Sequence, residues 1–156
     1  MRPAAAWLAE YGLSHQHPSN KLLHWICVPG IVLALLGLLL ALPVPAAWRA
    51  YPALNWAGLA CLAAWLYYLV LSPALAAGML LALLLLLALA HALAQLPFPL
   101  WASSLTIFVL AWAGQFAGHA LEGRRPSFFK DLQFLLIGPL WLLASAYRGL
   151  GLRCGR

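Results

Sequence analysis

The sequence predicts an all-α integral membrane protein. We expect about four transmembrane helices, an N-terminal amphipathic helix and a C-terminal hydrophobic segment that is re-entrant or interfacial. Of the 156 residues, 65% are hydrophobic and 8% are charged, against about 25% charged residues in a soluble domain. The mean hydropathy is +0.91. A chain of this length cannot bury so much leucine and alanine in its own core, so residues 1–156 are predicted to form one membrane domain that lipid covers.

The N-terminal segment is short and amphipathic. Residues 3–13 (PAAAWLAEYGL) place Trp7, Leu8 and Tyr11 on one face of a helix, which would lie at the membrane interface. Polar residues follow, and Pro18 suits the first turn of the next helix because its missing N–H costs little there.

Four apolar runs come next, and each is close to the ~20 residues that cross a ~30 Å hydrocarbon core. The predicted spans are 22–42, 53–71, 74–96 and 100–121. Pro29 and Gly30 are expected to kink the first span, which requires neighbouring groups to satisfy the freed carbonyls.

The last apolar segment, at 132–147, has only about sixteen residues, and Gly138-Pro139 is expected to split it in the middle. A segment of that length is typical of re-entrant or interfacial structure.

The net charge of +6 indicates membrane orientation rather than nucleic-acid binding, because the basic residues flank the apolar runs. With four spans, Arg49 lies alone on one side and every other Lys and Arg lies on the opposite side. The positive-inside rule then places both termini in the cytoplasm. If 132–147 crossed the membrane, three arginines would move outside, so the charge bias favours four spans.

This topology sorts the five histidines. His15, His17 and His24 lie at the cytoplasmic end of the first span, and His119 lies at the same end of the fourth. His91 is near the opposite face, roughly 20 Å or more away at ~1.5 Å per helical residue, and is excluded from their site.

Ionisable groups at this depth are costly and predict a functional site. Glu122, one of three acidic residues, follows His119 by three positions, so both side chains can point at one site. A carboxylate and a histidine at this spacing build metal sites in helical bundles. Asn20, four residues before His24, can orient that imidazole. Gln115 is either a hydrogen-bond donor near the site or an interhelical contact.

Two sequence blocks resemble the signatures of the Mpo-like family, which is named for a yeast protein that metabolises phytosphingosine to odd-numbered fatty acids. They are YGLSHQHPSNKLLHWICVP at 11–29 and QFAGHALEGRRP at 115–126. The family's histidine and asparagine positions fall on His15, Asn20, His24 and His119. His17 stands where such sequences commonly have Asn, which implies that it is an extra.

The resemblance implies an Fe(II)-dependent dioxygenase of fatty acid α-oxidation that converts a 2-hydroxy fatty acid and O2 to the acid one carbon shorter. It implies His15, His24 and His119 as metal ligands, with Glu122 and Asn20 in catalytic roles. Glu122, His17 and Gln115 are kept as further metal-site candidates.

The substrate and the setting follow from the same resemblance. An α-hydroxy carboxylate can chelate a metal through its hydroxyl and one carboxylate oxygen, while its alkyl tail lies among the spans. Arg124, Arg125 and Lys21 are candidates to hold the carboxylate, although the same charges also explain orientation. The yeast member acts in the endoplasmic reticulum membrane; compact loops and Ala/Leu-rich spans indicate a bacterial inner membrane here.

Two other functions stay open on the sequence. One is a non-catalytic membrane scaffold or carrier whose histidines are merely interfacial. The other is a haem or metal-binding membrane module, which would use paired histidines such as His24 and His119 on facing helices.

Overall fold

The computed structural model describes residues 2–51, 54–123 and 133–152, and all regular structure in these ranges is helical, as predicted. Six α-helices and one 3-10 turn (Ala46–Trp48) lie in the described ranges. The helices are α1 (Ala4–Leu13), α2 (Pro18–Ala41), α3 (Trp56–Leu71), α4 (Pro73–Leu93), α5 (Leu100–Glu122) and α6 (Phe134–Gly149).

Three of these helices, α2, α4 and α5, are long and apolar enough to cross a membrane. The other apolar helices, α3 and α6, have 16 residues each, which is about 24 Å of helix against a ~30 Å core. The run predicted as a span at 53–71 becomes helical only at Trp56, because the Asn55 side chain caps the helix by accepting from the Gly58 N–H at 2.8 Å. The count of four spans and their sidedness stay predictions.

Large apolar side chains cover the outer surface of the helices. Val70, Leu81 and Leu110 are each at least 66% exposed, and many other leucines are similarly open. An apolar surface of this extent is unusual for a soluble monomer. It is the surface expected of a protein that lipid solvates.

The central helix, α2, contacts α3, α4, α5 and α6. Its first turn contains Pro18, as the sequence predicted, and His17 is the N-cap residue. The helix therefore begins four residues before the predicted span. It continues as one helix through Pro29 to Ala41.

Small residues let α5 lie antiparallel and close against α2. A Cβ at Gly114 would collide with the Cys27 sulfur, and one at Gly118 would collide with the Asn20 Oδ1. This Gly-x-x-x-Gly spacing brings two helix backbones together in a membrane. It holds the end of α5 against the beginning of α2.

The expectation that Gly138-Pro139 splits the last apolar segment is wrong, because α6 is one continuous helix through both residues. Proline removes one backbone hydrogen bond and crowds the preceding turn. The Tyr68 hydroxyl donates to the carbonyl of Leu136 in that turn at 2.8 Å. Pro139 leaves the Leu135 carbonyl, four residues earlier, without its helical N–H donor, and the Tyr68 hydroxyl binds the next carbonyl in the same turn.

The short helix α1 packs on α6 through the apolar face that the sequence identified. Trp7 contacts Phe134 edge to face at 5.3 Å, and Tyr11 contacts Trp141 at 5.6 Å between ring centroids. This face is therefore covered by protein. The contact places Tyr11 and the segment after it over the adjoining ends of α2 and α5.

Candidate metal centre

Three histidines from three parts of the chain meet in the interior. His15 lies between α1 and α2, His24 is on the second turn of α2, and His119 is on the last turn of α5. Each is at most 3% exposed. One ligand atom from each ring lies within 4.8 Å of the other two, which is the scale of a single coordination sphere.

The hydrogen bonds of His15 and His24 fix their tautomers. The His15 Nδ1 lies 2.6 Å from the Tyr11 carbonyl, and the His24 Nδ1 lies 2.9 Å from the Asn20 carbonyl. Because a carbonyl only accepts, each Nδ1 must carry the hydrogen, which leaves each Nε2 with a free lone pair.

Those two Nε2 atoms face each other at 2.8 Å. With both Nδ1 hydrogens committed to carbonyls, no hydrogen remains for a bond between them. Two lone pairs at this distance repel unless a cation lies between or beside them. The arrangement therefore suits a metal ion. A neutral imidazole binds a metal through one ring nitrogen while its other ring nitrogen donates a hydrogen bond.

His119 is the third member of the cluster that could bind a metal. Its Nδ1 is buried and has no hydrogen-bond partner among the described residues. A buried polar atom without a partner is rare and calls for an explanation. Coordination of a metal by this ring provides one.

Burial keeps His15 neutral, and a neutral imidazole is the form that binds a metal. Its ring is stacked on Tyr11 at 4.1 Å with 9° between the planes, and Trp141 lies at 5.5 Å. The pKa of His15 is lowered to about 3, mainly because burial removes its hydration and, to a smaller extent, because His24 lies nearby.

Glu122 is close to the cluster, but its carboxylate binds protein groups. One oxygen accepts from the backbone N–H of Gln16 at 2.8 Å. The other accepts from the backbone N–H of His17 at 2.8 Å and from the Asn20 side chain at 3.1 Å. This carboxylate ties the segment that carries His15 to the end of α5, next to His119.

Asn20 links both halves of the site. Its side-chain amide donates to the Glu122 carboxylate and, at 3.3 Å, to the Ser14 carbonyl. Its backbone carbonyl accepts from the His24 Nδ1 and so orients that ring. It is fully buried, and Gly118 gives it room against α5.

Neither His17 nor His91 belongs to the three-histidine cluster. His17 is exposed and accepts from the Ser19 N–H at 3.2 Å as the cap of α2. His91 is exposed on the last turn of α4. Lys21 is half-buried on the first turns of α2. Arg124 and Arg125 lie outside the described residues.

A small cavity of about 70 Å³ adjoins the cluster, and its polar lining comes from Gln115, His119 and Tyr11. Since one water occupies roughly 10–15 Å³ on this measure, the cavity has room for about five water-sized molecules. Gln115 is buried, and its side chain hydrogen-bonds to His24 across the contact between α5 and α2, while its amide nitrogen has no partner among the described residues.

Sequence reasoning missed the part that Tyr11 plays. Its carbonyl holds His15 and its ring stacks on the same imidazole. A signal was available, because Tyr11 precedes His15 by four residues, just as Asn20 precedes His24. A helical carbonyl at i−4 is within reach of a histidine side chain.

A family described as "2-hydroxy-palmitic acid dioxygenase Mpo1-like" has a model that matches residues 1–150. No curated protein matches the chain. No solved structure matches it either.

Proposed function

The chain belongs to the Mpo1-like family, and on that premise we propose that it is a membrane-bound, Fe(II)-dependent dioxygenase that shortens a 2-hydroxy fatty acid by one carbon. The observation that carries the proposal is the pair of imidazole lone pairs facing each other at 2.8 Å beside a third buried histidine. The family description names a dioxygenase, and the histidine cluster is a donor set that suits iron.

The histidines His15, His24 and His119 would hold the ion. When bound, iron supplies the one-electron chemistry with O2 that no side chain offers. Imidazole ligands that leave positions open are typical of iron sites that take up both O2 and a substrate. One carboxylate, that of Glu122, lies close enough to the three neutral rings to favour a cation by its charge.

The protein's own groups would orient the metal ligands and exclude bulk water from the site. The Tyr11 and Asn20 carbonyls fix two imidazoles, so that both lone pairs are directed inward. Gln115, in the cavity beside His119, is placed to hydrogen-bond the polar head of a substrate. The Tyr11 and Trp141 rings cover His15 and keep bulk water from it.

Glu122 and Asn20 act in this proposal by positioning the ligands. The carboxylate oxygens of Glu122 are already engaged by two backbone amides and one side-chain amide. A role for Lys21, Arg124 and Arg125 in holding the carboxylate of the substrate remains part of the proposal.

The site geometry does not favour the haem alternative. The ring centroids of His24 and His119 are 5.1 Å apart, and the cavity that touches His119 measures about 70 Å³. A flat macrocycle needs a slot between its two axial rings, and the described residues leave none there.

The setting is proposed on the same grounds. Three long apolar helices support association with a membrane. We propose that this is a bacterial inner membrane, with both termini and the metal centre on the cytoplasmic side, because the positive charges gather there.

The test is metal analysis joined to product analysis. Protein purified without oxygen and loaded with Fe(II) is expected to hold about one iron per chain and to convert 2-hydroxyhexadecanoic acid and O2 to pentadecanoic acid. The atoms balance with carbon dioxide and water as the other products. His119→Ala should lose both iron and turnover, whereas the control His91→Ala should keep both. Wild-type protein that binds no iron, or that gives no shortened acid, contradicts the proposal.

A further inference from the structure

A second, much larger cavity lies between α2, α3, α4 and α6. Its volume is about 550 Å³ and no charged side chain lines it. The single hydroxyl among its lining residues, that of Tyr68, is already bonded to the Leu136 carbonyl. We call this space the apolar chamber. Apart from the Trp25 indole N–H and the Cys61 thiol, its lining offers no polar group to a carboxylate or a hydroxyl, so the space suits an apolar tail.

The chamber adjoins the small cavity at the metal centre. Four residues line both spaces: Val28, Val32, Leu35 and Leu135. They form a shared apolar wall, with His119 and Gln115 on one side and the chamber on the other. A molecule whose polar head lies beside His119 would therefore have its tail directed past this wall.

The chamber is large enough for one long acyl tail. Along α2 its lining runs from Trp25 to Leu39, a rise of about 21 Å. One tail of a two-leaflet hydrocarbon core ~30 Å thick covers about 15 Å. A cavity of about 150 Å³ holds one benzene molecule, so 550 Å³ has room for on the order of twenty carbons.

We propose that the apolar chamber is the binding site for the acyl tail of the substrate, and that the α3 face lining it sets the chain length. This inference rests on the proposed function for the identity of the substrate. The tail arrives from lipid, which is as apolar as the chamber, so burial alone does not favour one length. Selection comes instead from how well the tail fills the space.

Two alanines on α3 allow a test of the length-setting face. Ala60 and Ala64 line the chamber, whereas Ala63 is exposed on the outer face of the same helix. The helix ends at Leu71, which packs against the cluster containing Tyr11, so Ala64 is one turn nearer to the metal centre than Ala60.

Phenylalanine at each position should shorten the accepted tail in a fixed order. For Ala64→Phe, kcat/KM for the longest accepted acid should fall by about tenfold or more relative to a short acid. Ala60→Phe should move the preference less, because it fills only the far end. Ala63→Phe, which adds the same ring facing outward, should leave the chain-length profile unchanged. Equal profiles for all three variants overturn the proposal.

A binding measurement that needs no turnover separates this inference from the proposed function. Cys61 lines the chamber, while Cys27 is buried against Gly114 and lines neither cavity. In metal-free wild-type protein, 2-hydroxyhexadecanoic acid should slow the reaction of N-ethylmaleimide with Cys61 several-fold and leave Cys27 unaffected.

Three outcomes decide the result. Protection of Cys61 without any turnover supports the chamber and removes the proposed reaction. No protection overturns the chamber. Equal protection by a phospholipid added at the same concentration also overturns it, because the space would then be an ordinary gap filled by membrane lipid.

Discussion

The metal centre and the apolar chamber lie side by side along α2, yet they are specified in opposite ways. At the metal centre, single hydrogen bonds determine which nitrogen carries a hydrogen and which lone pair faces inward. In the chamber, a volume of about 550 Å³ is lined by interchangeable apolar groups. One atom changed at the centre should therefore matter far more than one side chain changed in the chamber.

The largest effect is expected from removal of a ligand. His24→Ala should reduce bound iron to background and lower activity by more than about 10²-fold, because even partners that merely orient ligands contribute 10–100-fold. Ala64→Phe, in the chamber, should retain iron at the wild-type level. Metal analysis of the two purified variants, side by side, checks this contrast.

The comparison would fail if both variants lost iron equally. That result would mean that the chamber wall supports the ligands as strongly as the imidazoles themselves do.

A smaller effect is expected from Glu122→Gln, which keeps the size of the side chain but replaces an acceptor by an NH2 donor. That donor would meet a backbone N–H or the Asn20 amide, all of which also donate. The affinity for Fe(II) should fall about 10–100-fold, as for other partners that orient ligands. Competition with a chelator of known affinity measures the change.

Glu10→Gln is the matched control for this variant. Glu10 pairs with Arg2 at the protein surface, and an exposed pair contributes little. Its iron affinity should equal that of the wild type. Loss of affinity in Glu10→Gln as well would point to a general effect of charge rather than to the hydrogen bonds of Glu122.

The third effect concerns the contact between α2 and α5 that holds the centre together. Gly118→Ala places a methyl group against the Asn20 Oδ1, and overpacking of this kind costs about 1–3 kcal/mol. We expect a lower midpoint of thermal unfolding in detergent and weaker iron binding.

Gly149→Ala is its control, since nothing lies within 4 Å of a Cβ added there. That variant should unfold as the wild type does. A Gly118→Ala protein as stable as the control would show that the two helices can separate at this point without cost.

The histidines of the centre were predictable because their positions depend on topology. Helices that cross a membrane in opposite directions bring the beginning of one and the end of another to the same depth, so His24 and His119 were expected together. The all-α fold followed similarly from apolar runs of sufficient length. The ligand roles of His15, His24 and His119 rest on the family resemblance and stay proposals.

What could not be predicted depends on contacts between distant segments. The amides that engage Glu122 belong to residues more than a hundred positions earlier, and no periodicity reports such a pairing. The turn of α6 before Pro139 is contacted by a hydroxyl from α3, which binds the Leu136 carbonyl. The chamber is a volume left by four helices, which only packed side chains define.

The placement of His15 and His119 has a mechanical consequence. An ion bound by both would join the N-terminal end of the chain to the end of α5, closing a loop of about a hundred residues. In chain-entropy terms a crosslink over that length contributes on the order of 4–5 kcal/mol, less whatever order the chain retains when unfolded. Iron would thus stabilise the fold as a crosslink in addition to its part in the reaction, and loss of the metal would lower the stability of the whole helical assembly.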